Sequence, residues 1–400
     1  VAFADPPVMM RIAFFGHDAG DAAVRRRVEG FRRDGLEVVR FMMRRSDTAR
    51  HDETDIDLGR TFDANYLQRF ARIFAGARIA AGQKGLLASS DVIYARNLDM
   101  LATAFLARSW AGLSTPVIYE CLDVHRLLTR SDPIGSAMRG VEKSLLRSCR
   151  RLVVSSDAFI RRHFEARYGD ICPAVLVENR MAPGTGYGPR PRQTPERTGP
   201  LRIGWVGVLR CARSLDLMRA LVRQFGDAIH IDLHGMPALT EIPDFHERVS
   251  ETPGMTFHGR YKAPEDLSRI YAGLDVVWAG DFMEAGFNSL WLLPNRLYEG
   301  GYYGVPAIAP QGTRTAEWIE TVGAGFTLPE DLGLSLPQLI AQLIETRAVI
   351  AERRERLLSL PDNVFIQPEG ELRGVIEGAL GLSTTPLHGT SMLTAAERAR

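Results

Sequence analysis

Cysteine is scarce in this 400-residue sequence, which has only Cys121, Cys149, Cys172 and Cys211, with no Cys-x-x-Cys pair and no histidine at metal-ligand spacing. A disulfide scaffold and a structural zinc site are thereby excluded, no metal is expected, and free thiols in a reducing compartment are the simplest account. Long apolar runs are missing too. Nothing approaches the ~20 apolar residues of a membrane-spanning helix, and residues 1–10 lack the apolar stretch and small-residue cleavage site of a secretory leader. The expectation is a cytoplasmic protein, at most peripheral to a membrane.

Several motifs are absent as well. The first strand is not followed by a full G-x-G-x-x-G with an acidic residue about 20 positions on, which argues against a nicotinamide dehydrogenase. There is no G-x-x-x-x-G-K-[ST] loop and no G-x-S-x-G elbow, so P-loop kinases and serine hydrolases of that type are also excluded. No unit of 20 to 50 residues repeats, which excludes a solenoid.

What is present is an ordinary globular composition, 45% apolar and 24% charged, on a chain too long for one hydrophobic core. Two domains are the working number. Net charge is +1, yet residues 1–180 hold 28 basic against 22 acidic residues, so the remainder is acidic. Much of the basic excess is Arg25, Arg26, Arg27, Arg32, Arg33, Arg40, Arg44 and Arg45. This run is either a solvated face or a surface for acidic lipid headgroups or a phosphate-bearing acceptor. No nucleic-acid partner is expected.

Short β-branched or aromatic runs alternate with segments of helical period, the pattern of parallel sheets built from βαβ units. Strands are predicted at 11–16, 36–42, 91–95, 116–120, 152–155 and 175–178, with helices at 22–33, 65–88 and 138–148. Residues 181–200, rich in proline and glycine, read as a linker. The alternation restarts with strands at 201–207, 229–234, 255–259, 275–279 and 305–309 and helices at 215–225, 264–274 and 295–302. A long helix is predicted at 336–358. The domains are therefore 1–180 and 201–362, with a C-terminal helix in 363–382 that crosses back to the first domain and a loose tail at 383–400.

Ligands of open α/β sheets bind at the carboxyl ends of strands. The first candidate loop is Gly207-Val208-Leu209-Arg210-Cys211-Ala212-Arg213, where a glycine lets backbone approach a ligand and Arg210 and Arg213 can clamp a diphosphate beside a helix N-terminus. Its alternative is a tight turn with two surface arginines. The second is Pro294-Asn295-Arg296-Leu297-Tyr298-Glu299-Gly300-Gly301-Tyr302-Tyr303-Gly304-Val305-Pro306, a helix opened by proline and closed by Gly-Val-Pro before an apolar strand. Arg296 suits a phosphate and Glu299 a pair of ribose hydroxyls; an intrahelical ion pair is the alternative.

At these residues the chain resembles the GT-B glycosyltransferases, in particular the family 4 (group 1) enzymes. The resemblance implies two Rossmann-like β/α/β domains facing across a cleft. It also implies that Glu299 holds the ribose of a UDP- or GDP-linked sugar, that Arg296 assists the diphosphate, that Gly207, Arg210 and Arg213 form the phosphate loop, and that Asn295 is among the donor-binding residues. The family commonly shows two glutamates with seven residues between them, and Trp291 stands where the first would be. Asp281, Glu284, Asn288 or Ser289 are then candidates for sugar recognition. His234 either lines the donor site or is a satisfied core histidine.

In the first half, Glu120-Cys121-Leu122-Asp123-Val124-His125 follows an apolar strand and resembles the family's acceptor-side loop. There His125 would bond the transferred sugar and Asp123 would be a general base if the reaction inverts; a plain helix cap is the alternative. Gly16, His17 and Arg96, with Tyr94 and Asn97, also sit at strand ends on the acceptor side. The expected activity is hexosyl transfer to a hydroxyl of a glycan, lipid-linked or small-molecule acceptor in polysaccharide or glycoconjugate synthesis, without a cofactor. The rivals are a sugar-nucleotide epimerase or phosphorylase on the same fold, and a non-catalytic nucleotide-sugar-binding scaffold.

Overall fold

The structure is a computed structural model that describes residues 9–44, 54–60, 66–182, 184, 186–192 and 198–382. These divide into two compact units, one of residues 9–178 with 368–382 and one of 179–367.

The first unit holds a seven-stranded sheet made of β1 (Arg11–Gly16), β2 (Glu37–Arg44), β3 (Ile56–Arg60), β4 (Val92–Arg96), β5 (Val117–Cys121), β6 (Arg151–Val154) and β7 (Ala174–Leu176), in the order β3-β2-β1-β4-β5-β6-β7. The second holds β8 (Leu201–Leu209), β9 (Ile229–Pro237), β10 (Met255–Gly259), β11 (Val276–Trp278), β12 (Ala307–Pro310) and β13 (Gly325–Leu328), in the order β10-β9-β8-β11-β12-β13. Every pairing between these strands is parallel. Parallel strands are covered by helices on both faces, so their sequences are continuous apolar runs; all five residues of β4 and of β5 are buried. In both sheets the strand order reverses beside the first strand, between β1 and β4 and between β8 and β11. Those reversals open a crevice at the carboxyl ends of the strands.

The helix Ala22–Arg33 starts at Asp21, whose carboxylate accepts from the amides of Ala23 and Val24 at 2.7 and 3.0 Å. The helix Glu371–Leu380 belongs to the same unit. Asp34 caps it from outside, accepting from the amides of Gly370, Leu372 and Arg373 at 2.9, 2.9 and 3.2 Å. Leu372, Val375 and Ile376 share one core with Phe14, Val24, Val28 and Phe31.

Several expectations are revised. The stretch 181–200 is not simply a linker, because Met181 is buried and bridges Ile366, and Arg190 donates to the carbonyls of Leu357 and Leu360 at 2.6 and 2.7 Å while lying over Tyr302 and Phe365. The fork of a guanidinium bonds carbonyls at and just past the end of the helix Ala348–Ser359, where few amide donors remain. The long helix at 336–358 is two helices, Leu332–Glu345 and Ala348–Ser359, and 65–88 is likewise Tyr66–Gly82 and Lys84–Ala88. The tail 383–400 lies outside the described residues.

The arginine run is not one solvated face either. Arg40 is buried against Asp55 at 2.7 Å, Arg33 pairs with Glu29, and Arg44 with Asp57; Arg45 lies outside the described residues. Arg27 is buried with Arg96 around one carboxylate. Glu120 Oε1 is 2.9 and 2.8 Å from Nε and Nη2 of Arg27, and Oε2 is 3.3 Å from Nε of Arg96. Two guanidiniums depend on this one group. Replacing Glu120 by Gln should therefore destabilise the protein by about 3–5 kcal/mol, the usual effect of removing one partner of a buried ion pair, read as a lower urea midpoint. An unchanged midpoint would contradict this role for Glu120.

Candidate functional site

At the reversal in the second sheet, β8 and β9 run side by side as paired glycines. Gly207 has φ +120° and Gly235 φ +134°, and a Cβ on Gly235 would sit 1.8 Å from the Gly207 carbonyl oxygen. Only glycine permits that approach. Beneath Gly207 lies Arg296, 8% exposed, the second residue of the helix Asn295–Tyr302.

Its guanidinium reaches only carbonyls at the ends of β8 and β11, and at long range: Nη1 is 3.5 Å from Val206 O, and Nη2 is 3.4 and 3.5 Å from Ala279 O and Gly280 O. Among the described residues Nε has no hydrogen-bond partner. A guanidinium carries five donors, and burial lowers its pKa, so this cation is poorly satisfied where the fold places ligands. Such a cation has donors left over that could bond an anion.

Around it the loop after β11 forms a polar network. Asp281 accepts from Arg210 Nε and Nη2 at 3.1 and 3.0 Å, from the Met283 amide at 2.9 Å and from Ser289 Oγ at 3.3 Å. Burial alone would raise the Asp281 pKa, but the Arg210 charge, the Met283 amide and the Arg296 charge together outweigh it and the group sits below the usual carboxylate range. Ser289 Oγ also accepts from the Glu284 amide at 2.9 Å, and the Asn288 amide bonds the Glu284 carboxylate. Gly207, Arg210, Asp281, Asn288, Ser289 and Arg296 thus converge on one strand-end cluster.

The other donor-side candidates are placed differently. Glu299 lies one turn beyond Arg296, is buried, and accepts from Tyr271 Oη at 3.0 Å; burial and then this carboxylate push the tyrosine pKa up. Asn295 Oδ1 accepts from Asn179 Nδ2 at 2.8 Å. Trp291, at the position of the expected carboxylate, is buried with its ring edge-on to Phe287. Arg213 is exposed and lies 4.4 Å over the Phe282 ring, apart from Arg296.

His234 is buried and stacks on His258, with centroids 4.2 Å apart and planes 5° from parallel. With Asp232 these histidines bring three ligand-type atoms together. One ion cannot lie in two parallel ring planes, and Asp232 is already bound by Arg202 Nη2 at 2.6 Å and by Nε at 3.1 Å. The cluster is a stacked pair over a satisfied ion pair.

In the first unit the matching reversal gathers Gly16, His17, Arg96 and Asn97. Among the described residues Asn97 alone, apart from glycines, has positive φ, at +70°. Such backbone costs about 1–3 kcal/mol and clusters at functional sites. The Asn97 amide is 3.3 Å from His17 Nδ1, and His17 Nε2 is 3.7 Å from Asp21 Oδ2. Burial alone would raise the Asp21 pKa; the bond and charge of His17, and then Arg96, hold it far below the carboxylate range. Arg96 is fully buried and donates to Ala23 O at 2.5 Å, so it supports this loop from beneath and is not itself a surface for an acceptor.

Asp123 is exposed, and His125 is the N-cap of the helix Arg126–Thr129, Nδ1 accepting from the Leu127 amide at 3.2 Å. One ring nitrogen of His125 is thus a helix cap. Sequence reasoning missed Asp21 and Tyr271, the partners of His17 and Glu299. Asn97 carried a usable signal, because asparagine is among the few side chains that tolerate positive φ.

No protein-family profile matches the sequence. The chain is 40% identical over 327 residues to the succinoglycan biosynthesis protein ExoL of Rhizobium meliloti (strain 1021), an overlap of 80% of this chain and 81% of that protein. Among solved structures, Anabaena HepE in complex with UDP-glucose superposes with a TM-score of 0.64 at 15% identity, over 93% of this chain and 98% of that one. Sucrose-phosphate synthase from Thermosynechococcus elongatus does so with a TM-score of 0.67 at 14% identity, over 98% and 100%. The fold is that of the GT-B glycosyltransferases. Within that class, the chain belongs to the family of ExoL.

The stacked histidines have a measurable consequence. In the unfolded chain His234 takes its proton near 6.5, whereas burial first and His258 second hold it down to about 4 in the fold. The folded pKa lies below the unfolded one, so this contribution to stability is complete above about pH 6.5 and is lost as pH falls toward 4. Calorimetry across that window should show a shallower loss for His234→Gln than for the wild type. Parallel profiles would contradict it.

Proposed function

We propose that the chain transfers a hexosyl group from a UDP- or GDP-linked sugar to a hydroxyl of a glycan, lipid-linked or small-molecule acceptor in polysaccharide or glycoconjugate synthesis. Arg296 is the observation that carries this reading: a buried, under-satisfied guanidinium at the strand-order reversal, next to paired glycines that leave the backbone open. The relatives point the same way, since HepE was solved with UDP-glucose and ExoL is a succinoglycan biosynthesis protein.

In this reading the diphosphate lies against Arg296, Arg210 and the amides of the loop 207–213, with Arg213 free to swing in from its place over Phe282. Glu299, which accepts from Tyr271 Oη at 3.0 Å, takes the ribose, and Asn288, Ser289 and Asn295 border the sugar. As the glycosidic C–O bond breaks, its electron pair leaves with the diphosphate, and fixed cations stabilise that charge more in the transition state than in the substrate. They take the part that a divalent ion plays elsewhere, so the reaction runs without a metal or cofactor. The acceptor oxygen forms the new bond, and its proton passes to Asp123 if the anomeric centre inverts.

Among the described residues no helix is long and apolar enough to cross a membrane; the proposed setting is the cytoplasm, at the inner face of the membrane where lipid-linked acceptors reside. The test is binding and transfer by Arg296→Ala. Loss of a charge-assisted hydrogen bond, ~1.5–3 kcal/mol, should weaken the thermal shift produced by UDP or GDP by about 10- to 100-fold in ligand concentration and abolish transfer. A variant that keeps wild-type nucleotide binding would sink the site assignment. Tight nucleotide-sugar binding with no turnover on any acceptor would favour a scaffold instead.

A further inference from the structure

The carboxylate of Glu299 has a hydroxyl set behind it. Glu299 is buried, and a carboxylate taken out of water needs donors from the protein. Tyr271, itself 1% exposed, supplies one through the bond from its Oη to Glu299 Oε2 at 3.0 Å. Burial first and the Glu299 charge second push the tyrosine pKa well above its usual value, so the hydroxyl keeps its proton and stays a donor.

The ring is held to that carboxylate from several sides. Tyr271 lies in the helix Leu267–Ala272, whose Leu267 and Ile270 share a core with Leu297, Tyr298 and Tyr302 of the helix Asn295–Tyr302. The residue after Glu299 is Gly300, and a Cβ there would meet Tyr271 Cε1, Val277 Cγ1 and the Val305 carbonyl oxygen, each at 3.3 Å. Glycine thus lets the ring come close against the helix that carries the carboxylate. One face of the ring stacks on Tyr303, with centroids 5.8 Å apart and planes 14° from parallel. The buried guanidinium of Arg354 then clips the two helices together. Its Nη2 donates to Leu274 O at 3.1 Å and its Nε to Gly304 O at 3.0 Å, and each of these carbonyls lies two residues past the end of one helix.

We propose that Tyr271 is a positioning residue of the donor site: its hydroxyl holds the Glu299 carboxylate in one orientation toward the 2′- and 3′-hydroxyls of the ribose, so that a buried side chain sets the preference for ribonucleotide over deoxyribonucleotide. The inference rests on the donor reading of Glu299 and adds the partner that makes that carboxylate selective. A carboxylate offers about four lone-pair sites, so the bond from Tyr271 and bonds from ribose hydroxyls coexist. A carboxylate already fixed gives up little rotamer freedom on binding, and this preorganisation favours the hydroxyls it fits. A pair kept only for stability would behave otherwise: its loss would lower the melting temperature and leave the choice of sugar unmoved.

The experiment is thermal-shift titration of the full chain with UDP against 2′-deoxy-UDP, and GDP against 2′-deoxy-GDP. The proteins compared are the wild type, Tyr271→Phe, Glu299→Ala, the double variant and Tyr303→Phe. Among the described residues Tyr303 Oη is buried without a hydrogen-bond partner, so its removal keeps the stack and serves as the control. Wild type and Tyr303→Phe should prefer the ribonucleotide by about ten-fold, the effect of one hydrogen bond to a charged group. Tyr271→Phe should bring that ratio to about two-fold or less, and in the Glu299→Ala background it should change the ratio no further. Gly300→Ala, which crowds the ring and keeps its hydroxyl, should also lower the ratio, and it is the variant to read where Tyr271→Phe does not fold. A wild-type ratio in the variant that folds, with only the melting temperature lowered, overturns the proposal. So does a further fall in the ratio when Tyr271→Phe is added to Glu299→Ala. A wild type that binds UDP and 2′-deoxy-UDP equally removes the ribose role of Glu299, and this proposal with it, while the place of Arg296 stands. A wild type that binds no nucleotide strikes the donor reading itself.

Discussion

The fold of each unit turns on what happens where parallel strands end. A parallel sheet leaves its last carbonyls pointing into the crevice at the strand-order reversal, and something must satisfy them. In the second unit that group is the guanidinium of Arg296, set among the carbonyls of Val206, Ala279 and Gly280. It satisfies them only loosely. The paired glycines of β8 and β9, the network from Arg210 to Ser289 and the short helix that carries Arg296 are all arranged around that one cation.

The first unit solves the same problem differently. Its cations, Arg27 and Arg96, are drawn inward to Glu120, and the surface of the crevice is left to Asn97 and His17. One reversal therefore presents positive charge and the other a hydrogen-bonding edge of His17 and Asn97, with Asp21 behind it, held by strained backbone. That division suits a charged donor on one unit and a hydroxyl acceptor on the other.

Much of this was legible in the sequence, for identifiable reasons. Strands buried on both faces are unbroken apolar runs, so β1 and the helix Ala22–Arg33 were placed to the residue, as was the helix Asn295–Tyr302 by its flanking Pro and Gly-Val-Pro. β3, Ile-Asp-Leu-Gly-Arg, and β13, Gly-Phe-Thr-Leu, were invisible because they are short sheet edges with mixed composition. The helix Leu98–Trp110 escaped because it is apolar nearly all round and has no amphipathic period to read. At the candidate site, residue types were readable and partners were not. Tyr271 lies 28 positions from Glu299, and Glu120 lies 93 from Arg27. No local pattern encodes such pairs, which is why a run of arginines read as a surface proved to be partly interior.

The most direct test of the account is a structure of this chain with UDP or GDP bound. The account predicts a diphosphate oxygen within hydrogen-bond distance of Arg296, on the side of Gly207 and the loop to Arg213, with Asp281 still holding Arg210 beside it. A nucleotide bound elsewhere, with Arg296 still covered only by the carbonyls of Val206, Ala279 and Gly280, would contradict it.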